Sequence, residues 1–246
     1  RLVAGAVTLA VLCLVLRGGV RFGGPARSIG VGALLVYLYA FSAAYTALDA
    51  GLGALILFGM VQITMFTASL FAREPVSTRR WLGTALACGG LGWLLWPGPG
   101  AVLSPGHGAL MALAGIAWGF YSLVGRQASD ALSETAANFV LAVPLGLIIG
   151  LALPAPSDPV AMSSTGLMLA IASGAITSGL GYALWYLVLP QLDRVSAAIA
   201  QLSVPVIALI GGVFLLNEAL SLPLVLASAL VLAGIALSVI PARARR

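Results

Sequence analysis

Long apolar runs are the sequence feature that most restricts how this chain can fold. Nine of them follow one another, at about 2–16, 28–48, 51–71, 80–96, 108–126, 136–153, 165–189, 195–216 and 221–240. Only 8% of the residues are charged, against about a quarter in a soluble domain. About 20 apolar residues span a bilayer as a helix, which satisfies its own backbone polar groups there. The sequence therefore predicts an all-α polytopic membrane protein.

The arginines predict how the helices are oriented. All twelve basic residues are Arg, and eleven fall in alternate breaks or at the C-terminus, so that they share one side of the membrane. The positive-inside rule assigns that side to the cytoplasm. We therefore expect a cytoplasmic C-terminus, with Asp49, His107, Asp158 and Glu218 outside. Because the arginines are scattered singly or in pairs, they predict contact with a lipid bilayer and no nucleic-acid partner.

A stretch of fifty residues occurs twice, at 47–96 and at 191–240, with an offset of 144. Only seven acidic residues exist, and four of them form two matched pairs, Asp49 with Asp193 and Glu74 with Glu218. We interpret this as a duplication, with a first repeat at 1–96 and a second at 105–240. The second repeat contains five helices and the first only four, so we expect one further helix before Arg1. A unit with an odd number of helices inserts its second copy upside down.

Three short motifs resemble a known family. Two of them resemble the EamA domain of the drug/metabolite transporter superfamily. One is LNEAL at residues 216–220, followed by the small residues of 229–234, and the other is LAGIAWGFY at residues 113–121. Pro205 matches a proline common in the penultimate helix, whereas the first repeat has Val61 at that position. The resemblance implies two inverted repeats of five transmembrane helices, with the first helix of the first repeat absent from this chain. It also implies transport across the bacterial inner membrane.

Polar and aromatic side chains in the middle of the spans are the candidate substrate-binding residues. An unpaired polar group is costly in hydrocarbon, so such residues are expected to face a cavity or each other. The candidates are Tyr37, Phe41, Gln62, Trp118, Tyr121, Ser178, Tyr182, Gln201 and Pro205. Gln62 pairs with Val206 across the duplication and Gln201 with Leu57, so both amides break its symmetry. Pro205 leaves a carbonyl one turn back without its intrahelical donor.

Each candidate also has a structural interpretation. The aromatic stripes pack helices equally well, Tyr45 and Trp185 suit the membrane interface, and the glutamines suit interhelical hydrogen bonds. Glu74 and Glu218 are expected to cap or anchor helix ends. Close helix packing is expected at the small residues Gly83, Ala87, Gly90, Ala227, Ala229 and Gly234.

The charge pattern narrows the substrate. No Arg or Lys lies in the middle of a span, so a phosphate ester would lack a counterion, and no carboxylate lies there to bind a cationic drug. We expect a secondary transporter, acting as an exporter by alternating access, of neutral or zwitterionic metabolites such as amino acids. A multidrug exporter and a channel-like facilitator are the alternatives.

Other classes of protein fit less well. An embedded enzyme would need a nucleophile and a base, or metal ligands, at one depth, and the only histidine, His107, lies in an outer break. We expect no enzyme activity, no metal and no cofactor. Cys13 and Cys88 lie inside apolar runs, where thiols behave as small hydrophobes. The sequence leaves the coupling ion and the oligomeric state open, and it is compatible with a monomer.

Overall fold

Nine helices account for most of the chain in the computed structural model, which describes residues 1–24, 26–74, 76–95, 104–126, 128–152, 163–188, 191 and 194–239. Among these, the side chains of 95, 186, 194–202 and 239 are not described. The helices are α1 (Leu2–Arg17), α2 (Arg27–Ala44), α3 (Ala50–Phe71), α4 (Thr78–Leu95), α5 (Pro105–Gly125), α6 (Ala131–Ala152), α7 (Ser164–Ala172, Ser173–Leu180 and Gly181–Val188 in succession), α8 (Arg194–Leu216) and α9 (Leu222–Val239). The described part contains no strand.

Length and surface both indicate a membrane. Five helical stretches in the described part are long and apolar enough to cross one: Arg27–Ala44, Ala50–Phe71, Pro105–Gly125, Ala131–Ala152 and Ser164–Trp185. Large apolar side chains cover the outside, with Leu151 87% and Leu215 81% exposed. Such a surface suits lipid and not water. The prediction of an all-α polytopic membrane protein is confirmed.

Most helix ends fall within three residues of the predicted ones, and two differ more. α2 stops at Ala44, because a turn follows in which Ala47 N donates to Ala44 O at 3.2 Å. α6 begins at Ala131 instead of 136, because the Asp130 carboxylate accepts a hydrogen bond from Ser133 N at 3.2 Å and so starts the helix. Several predicted features lie outside the described residues: residues 97–103, the break at 154–159 with Asp158, Asp193 and the C-terminal arginines.

Arg1–Leu35 and Tyr121–Gln191 form the first of two compact units, built around α1, α6 and α7. The central segment of α7, Ser173–Leu180, is a π-helix. It packs closely on α1, because a Cβ placed on Gly174 would lie 2.7 Å from Ala4 Cβ and one on Gly179 would lie 2.5 Å from Thr8 Cγ2. Gly174 and Gly179 are five residues apart. The wider turn of a π-helix puts two such residues on nearly the same face, whereas an α-helix would put them on different faces.

The second unit, Val36–Phe120 and Leu192–Arg246, contains a close crossing of α4 and α9. A Cβ on Gly234 would lie 2.6 Å from Ala87 N, and a Cβ on Gly90 would lie 3.2 Å from Ala227 O. Because residue numbers rise along one helix as they fall along the other, the helices are antiparallel. The expected small-residue packing is confirmed here, except that the exposed Ala229 lies off the interface.

The duplication is also visible in the backbone of the second unit. Arg73 and Asn217, which are 144 positions apart, are the non-glycine residues with positive φ in the described part, at 54° and 56°. Each lies in the turn that ends a helix, immediately before Glu74 or Glu218. Both copies therefore end the helix with a left-handed residue. The hydrogen bonds of the two turns differ, because Glu74 N donates to Ser69 O, whereas Glu218 N donates to Gly212 O, which is equivalent to Ala68 O.

Candidate substrate-binding site

Four aromatic rings form a cluster between α2 and α5 in the second unit. The Tyr37 ring centroid lies 5.3 Å from that of Phe41 and 4.8 Å from that of Trp118, and the Phe41 and Tyr45 centroids are 4.6 Å apart. Tyr37 is buried, whereas Phe41, Tyr45 and Trp118 are half-buried. The predicted stripe at spacings of four is confirmed, and the fold adds Trp118 to it. The tilted rings pack on each other, as aromatic pairs prefer.

Two glycines in 113–121 explain where Trp118 lies. A Cβ on Gly115 would lie 2.7 Å from Met60 Cβ, and one on Gly119 would lie 2.7 Å from Thr64 Cβ, so α5 and α3 approach closely at both positions. Residue numbers rise together along the two helices, which are therefore parallel. Trp118 lies beside Gly119 and is held at the level of Thr64. The motif thus combines small residues for helix packing with one aromatic side chain for the cluster.

Gln62 lies on a different face of α3. It follows Gly51 by eleven residues, which is three helical turns, so the two share a face. Gly51 faces α8, where a Cβ on it would lie 2.8 Å from Leu209 Cα. Gln62 is half-buried, and no hydrogen bond to its amide exists in the described part of the chain. The structure therefore places this amide on the α8 side of α3, away from the face that packs on α5.

The other predicted site residues are divided between the two units. The side chain of Gln201 lies outside the described residues, and Pro205 is buried within α8. In the first unit, Tyr121 is buried in α5 and Ser178 is buried in the π-helical segment of α7. Tyr182 is half-buried, with its ring centroid 6.1 Å from that of Phe139. Six of the nine predicted residues thus belong to the second unit and three to the first.

A buried polar network in the first unit was not predicted. Arg27 is only 9% exposed. Its Nη2 donates to Glu134 Oε2 at 2.9 Å, and its Nη1 donates to Asn138 Oδ1 at 2.8 Å and to Glu134 O at 2.9 Å. Three carbonyl groups of the α1–α2 loop, those of Arg21, Phe22 and Gly23, accept its remaining hydrogen bonds. All the guanidinium nitrogens are therefore satisfied, as a buried charge requires.

Two further contacts bind the same loop to the start of α6. Arg21 N donates to Ser133 Oγ at 2.9 Å, and Arg17 pairs with Asp130 at 3.2 Å. The sequence contained a signal for this network. Two of its seven acidic residues, Asp130 and Glu134, lie near Arg126 on the side of the membrane that carries the arginines. Acidic residues placed there have basic partners within reach.

The next feature is the set of side chains that could take part in metal binding or covalent chemistry. Among the described residues, no group of three or more His, Cys, Asp or Glu side chains is arranged to hold a metal ion. Cys13 is buried and Cys88 exposed, and both are free. Aromatic faces, hydroxyl groups and amides instead suit the non-covalent binding of a small molecule.

The helices, their lipid-facing surface and the small-residue crossings define a polytopic membrane protein. A profile of the EamA-like transporter family matches residues 108–240, and this chain belongs to that family, which is part of the drug/metabolite transporter superfamily. An uncharacterized protein of Pseudomonas aeruginosa is 46% identical over 244 residues, which cover 98% of this chain and 82% of the relative. A protein of known crystal structure has a similar fold, with a TM-score of 0.66 and 20% identity, over 96% of this chain and 84% of its own.

Proposed function

We propose that this protein is a secondary transporter that exports small neutral or zwitterionic metabolites, such as amino acids, across the bacterial inner membrane by alternating access. The observation that carries the proposal is the half-buried Gln62 amide, which makes no hydrogen bond within the described residues. An amide in the middle of a span is costly unless it meets a polar partner. A transported substrate with its own donors and acceptors supplies that partner.

The placement of charge supports a substrate without net charge. In the described ion pairs, Arg17 with Asp130 and Arg27 with Glu134, every member lies at or near a helix end. No Arg, Asp or Glu lies in the middle of a described span, so a substrate with net charge would have no counterion there. An amide donates and accepts at once, and it therefore suits both the ammonium and the carboxylate of a zwitterion.

The aromatic cluster supplies the second element of the proposed site. Tyr37, Phe41 and Trp118 offer ring faces and edges to an apolar part of the substrate, in the way that ligand pockets combine apolar walls with a few polar groups. Gln201 and Pro205, in the same unit, are further proposed members of the site. Tyr121, Ser178 and Tyr182 belong to the first unit and remain predicted substrate-binding residues. The duplicated, antiparallel helices supply the scaffold, because inverted repeats typically bind substrate near the middle of the membrane.

Gln62→Leu is expected to lower transport about 10- to 100-fold, because each lost hydrogen bond to a charged group is worth about 1.5–3 kcal/mol. The folded yield should remain near that of the parent, since leucine is well tolerated in a span. The measurement is uptake of a panel of radiolabelled metabolites into proteoliposomes. Thr67→Leu, on an exposed part of the same helix, is the control and should transport normally. Parent-like transport by Gln62→Leu would return this amide to an interhelical role.

Orientation gives a second test of the proposal. A cysteine placed at His107, in a chain whose own two cysteines are replaced by alanine, should react with an impermeant thiol reagent in intact cells. A cysteine at the exposed Arg126 should react only after the membrane is opened, because the arginine-rich side is predicted to be cytoplasmic. The reverse pattern would invert the proposed topology.

A further inference from the structure

We propose that Glu218 is a latch that holds the beginning of α3 to the end of α8 and releases when that end of the protein opens. This inference rests on the proposed function, because a latch matters only in a protein whose two ends open in turn. The end at which α3 begins and α8 ends is called the Glu218 end, and the opposite end of these two helices is called the Glu74 end.

The first observation is that α3 is capped from a distant part of the chain. Its own N-cap residue, Asp49, is exposed, and its side chain makes no capping hydrogen bond. Instead, Ala50 N donates to Glu218 Oε1 at 2.6 Å and Gly51 N donates to Glu218 Oε2 at 3.4 Å. The first N–H groups of a helix lack intrahelical acceptors and carry a partial positive charge, so a carboxylate is a favourable partner. Glu218, in the second repeat, therefore caps the N-terminus of α3, in the first repeat.

The second observation is the space in which the carboxylate lies. A Cβ added to Gly212 would collide with Glu218 Oε2 and lie 2.6 Å from its Cδ. Asn217, with φ 56°, turns the chain back so that Glu218 lies over the last turn of α8, and Glu218 N donates to Gly212 O at 3.1 Å. The glycine is therefore required at this position, because any side chain there would displace the carboxylate from α3.

The third observation is that the first repeat has the left-handed residue but not the latch. Arg73 has φ 54°, as Asn217 does, and Glu74 follows it as Glu218 follows Asn217. Glu74 is nevertheless exposed, and its side chain makes no hydrogen bond within the described residues. Ala68 stands at the position equivalent to Gly212, and Glu74 N donates to Ser69 O at 3.0 Å and not to Ala68 O. Only the Glu218 end can be held by this contact.

The difference between the two ends has a consequence for the transport cycle. In an inverted duplication, α3 and α8 are equivalent helices, and a symmetric pair of contacts would favour opening at neither end. A contact present at one end alone stabilises the state that is closed there, and a two-state equilibrium shifts by the free energy of that contact. The latch therefore makes closure of the Glu218 end the resting state, and opening of that end requires Glu218 to leave Ala50 and Gly51.

The test follows a buried cysteine next to the latch. Leu52 is 1% exposed, so Leu52→Cys, with Cys13 and Cys88 replaced by alanine, reacts with N-ethylmaleimide only when the Glu218 end opens. Adding Glu218→Gln is expected to raise the labelling rate about tenfold or more, because an amide is a weaker acceptor than a carboxylate at a helix N-terminus. Gly212→Ala should raise it similarly, because it displaces an intact carboxylate. Glu74→Gln, the same chemical change in the unlatched turn, should leave the rate unchanged.

Each outcome decides between a latch and a static cap. If Glu218→Gln lowers the unfolding temperature while Leu52→Cys stays unreactive, the carboxylate is a static cap and the proposal is overturned. An equal rise with Glu74→Gln would also overturn it. If Glu218→Gln does not fold, Gly212→Ala decides by the same measurement. Failure of the transport proposal is seen separately, because no metabolite in the panel would then be carried although Glu218→Gln still raised the labelling rate. Failure of the latch proposal would leave Leu52→Cys unreactive in the Glu218→Gln variant while the parent protein still transported.

Discussion

Replacing Arg27 with methionine is expected to lower the free energy of unfolding by about 3–5 kcal/mol, because it removes a buried guanidinium group and leaves the half-buried Glu134 carboxylate without its partner. Methionine keeps most of the volume of arginine but donates no hydrogen bond. Glu134 Oε2 and Asn138 Oδ1, together with four backbone carbonyls, would lose the donors that satisfy them. The measurement is equilibrium unfolding by denaturing detergent in mixed micelles.

Arg17→Met is the matched control, since the Arg17 side chain is 48% exposed and its pair with Asp130 is open to solvent. Such a surface pair is worth about 0–1 kcal/mol. The double variant Arg27→Met, Glu134→Gln should recover part of the loss, because it removes the unpaired charge as well as its partner. Equal effects of the Arg27 and Arg17 substitutions would show that the network contributes little to stability.

The helices could be predicted from the sequence because their signal is local. A run of about 20 apolar residues between polar breaks determines a membrane span without any knowledge of its neighbours. The start of α6 was placed too late for a related reason. Ser133 and Glu134 look like part of a break, but they form the first turn of the helix, after the Asp130 cap. Polar residues at a helix start resemble loop residues until their partners are known.

The polar contacts were harder to predict because their partners are far apart in the sequence. Arg27 and Glu134 are separated by 107 positions, and Ala50 and Glu218 by 168. A helix-capping role was predicted for Glu218 and is confirmed, but the sequence did not indicate which helix it caps. Glu74 was assigned the same role and caps no helix in the described part of the chain. The two turns place these carboxylates differently, because Glu74 N donates to Ser69 O and Glu218 N to Gly212 O, and the sequence alone does not show this difference.

In the candidate site, too, contacts within one helix could be predicted from the sequence, and contacts between helices could not. Tyr37 and Phe41 were predicted to share a face because they are four residues apart, and their rings are in contact. That Trp118 joins them depends on where Gly115 and Gly119 let α5 approach α3. The π-helical segment around Ser178 had no local signal, because its wider turn is stabilised by packing against α1.

Gly83→Leu is expected to disrupt the crossing of α4 and α9 and to lower the free energy of unfolding by about 3 kcal/mol, at the upper end of the range for overpacking. A Cβ on Gly83 would collide with Gly234 O and lie 2.7 Å from Ser238 N. Both are backbone atoms of a packed helix, so they cannot move aside as the end of a flexible side chain does. Gly89→Leu, six residues along α4, is the control, because a Cβ there meets nothing within 4 Å. Size-exclusion chromatography and thermal unfolding of both variants should show loss of folded protein for Gly83→Leu alone. If the two variants were equally stable, the antiparallel crossing would not be the contact that holds the second unit together.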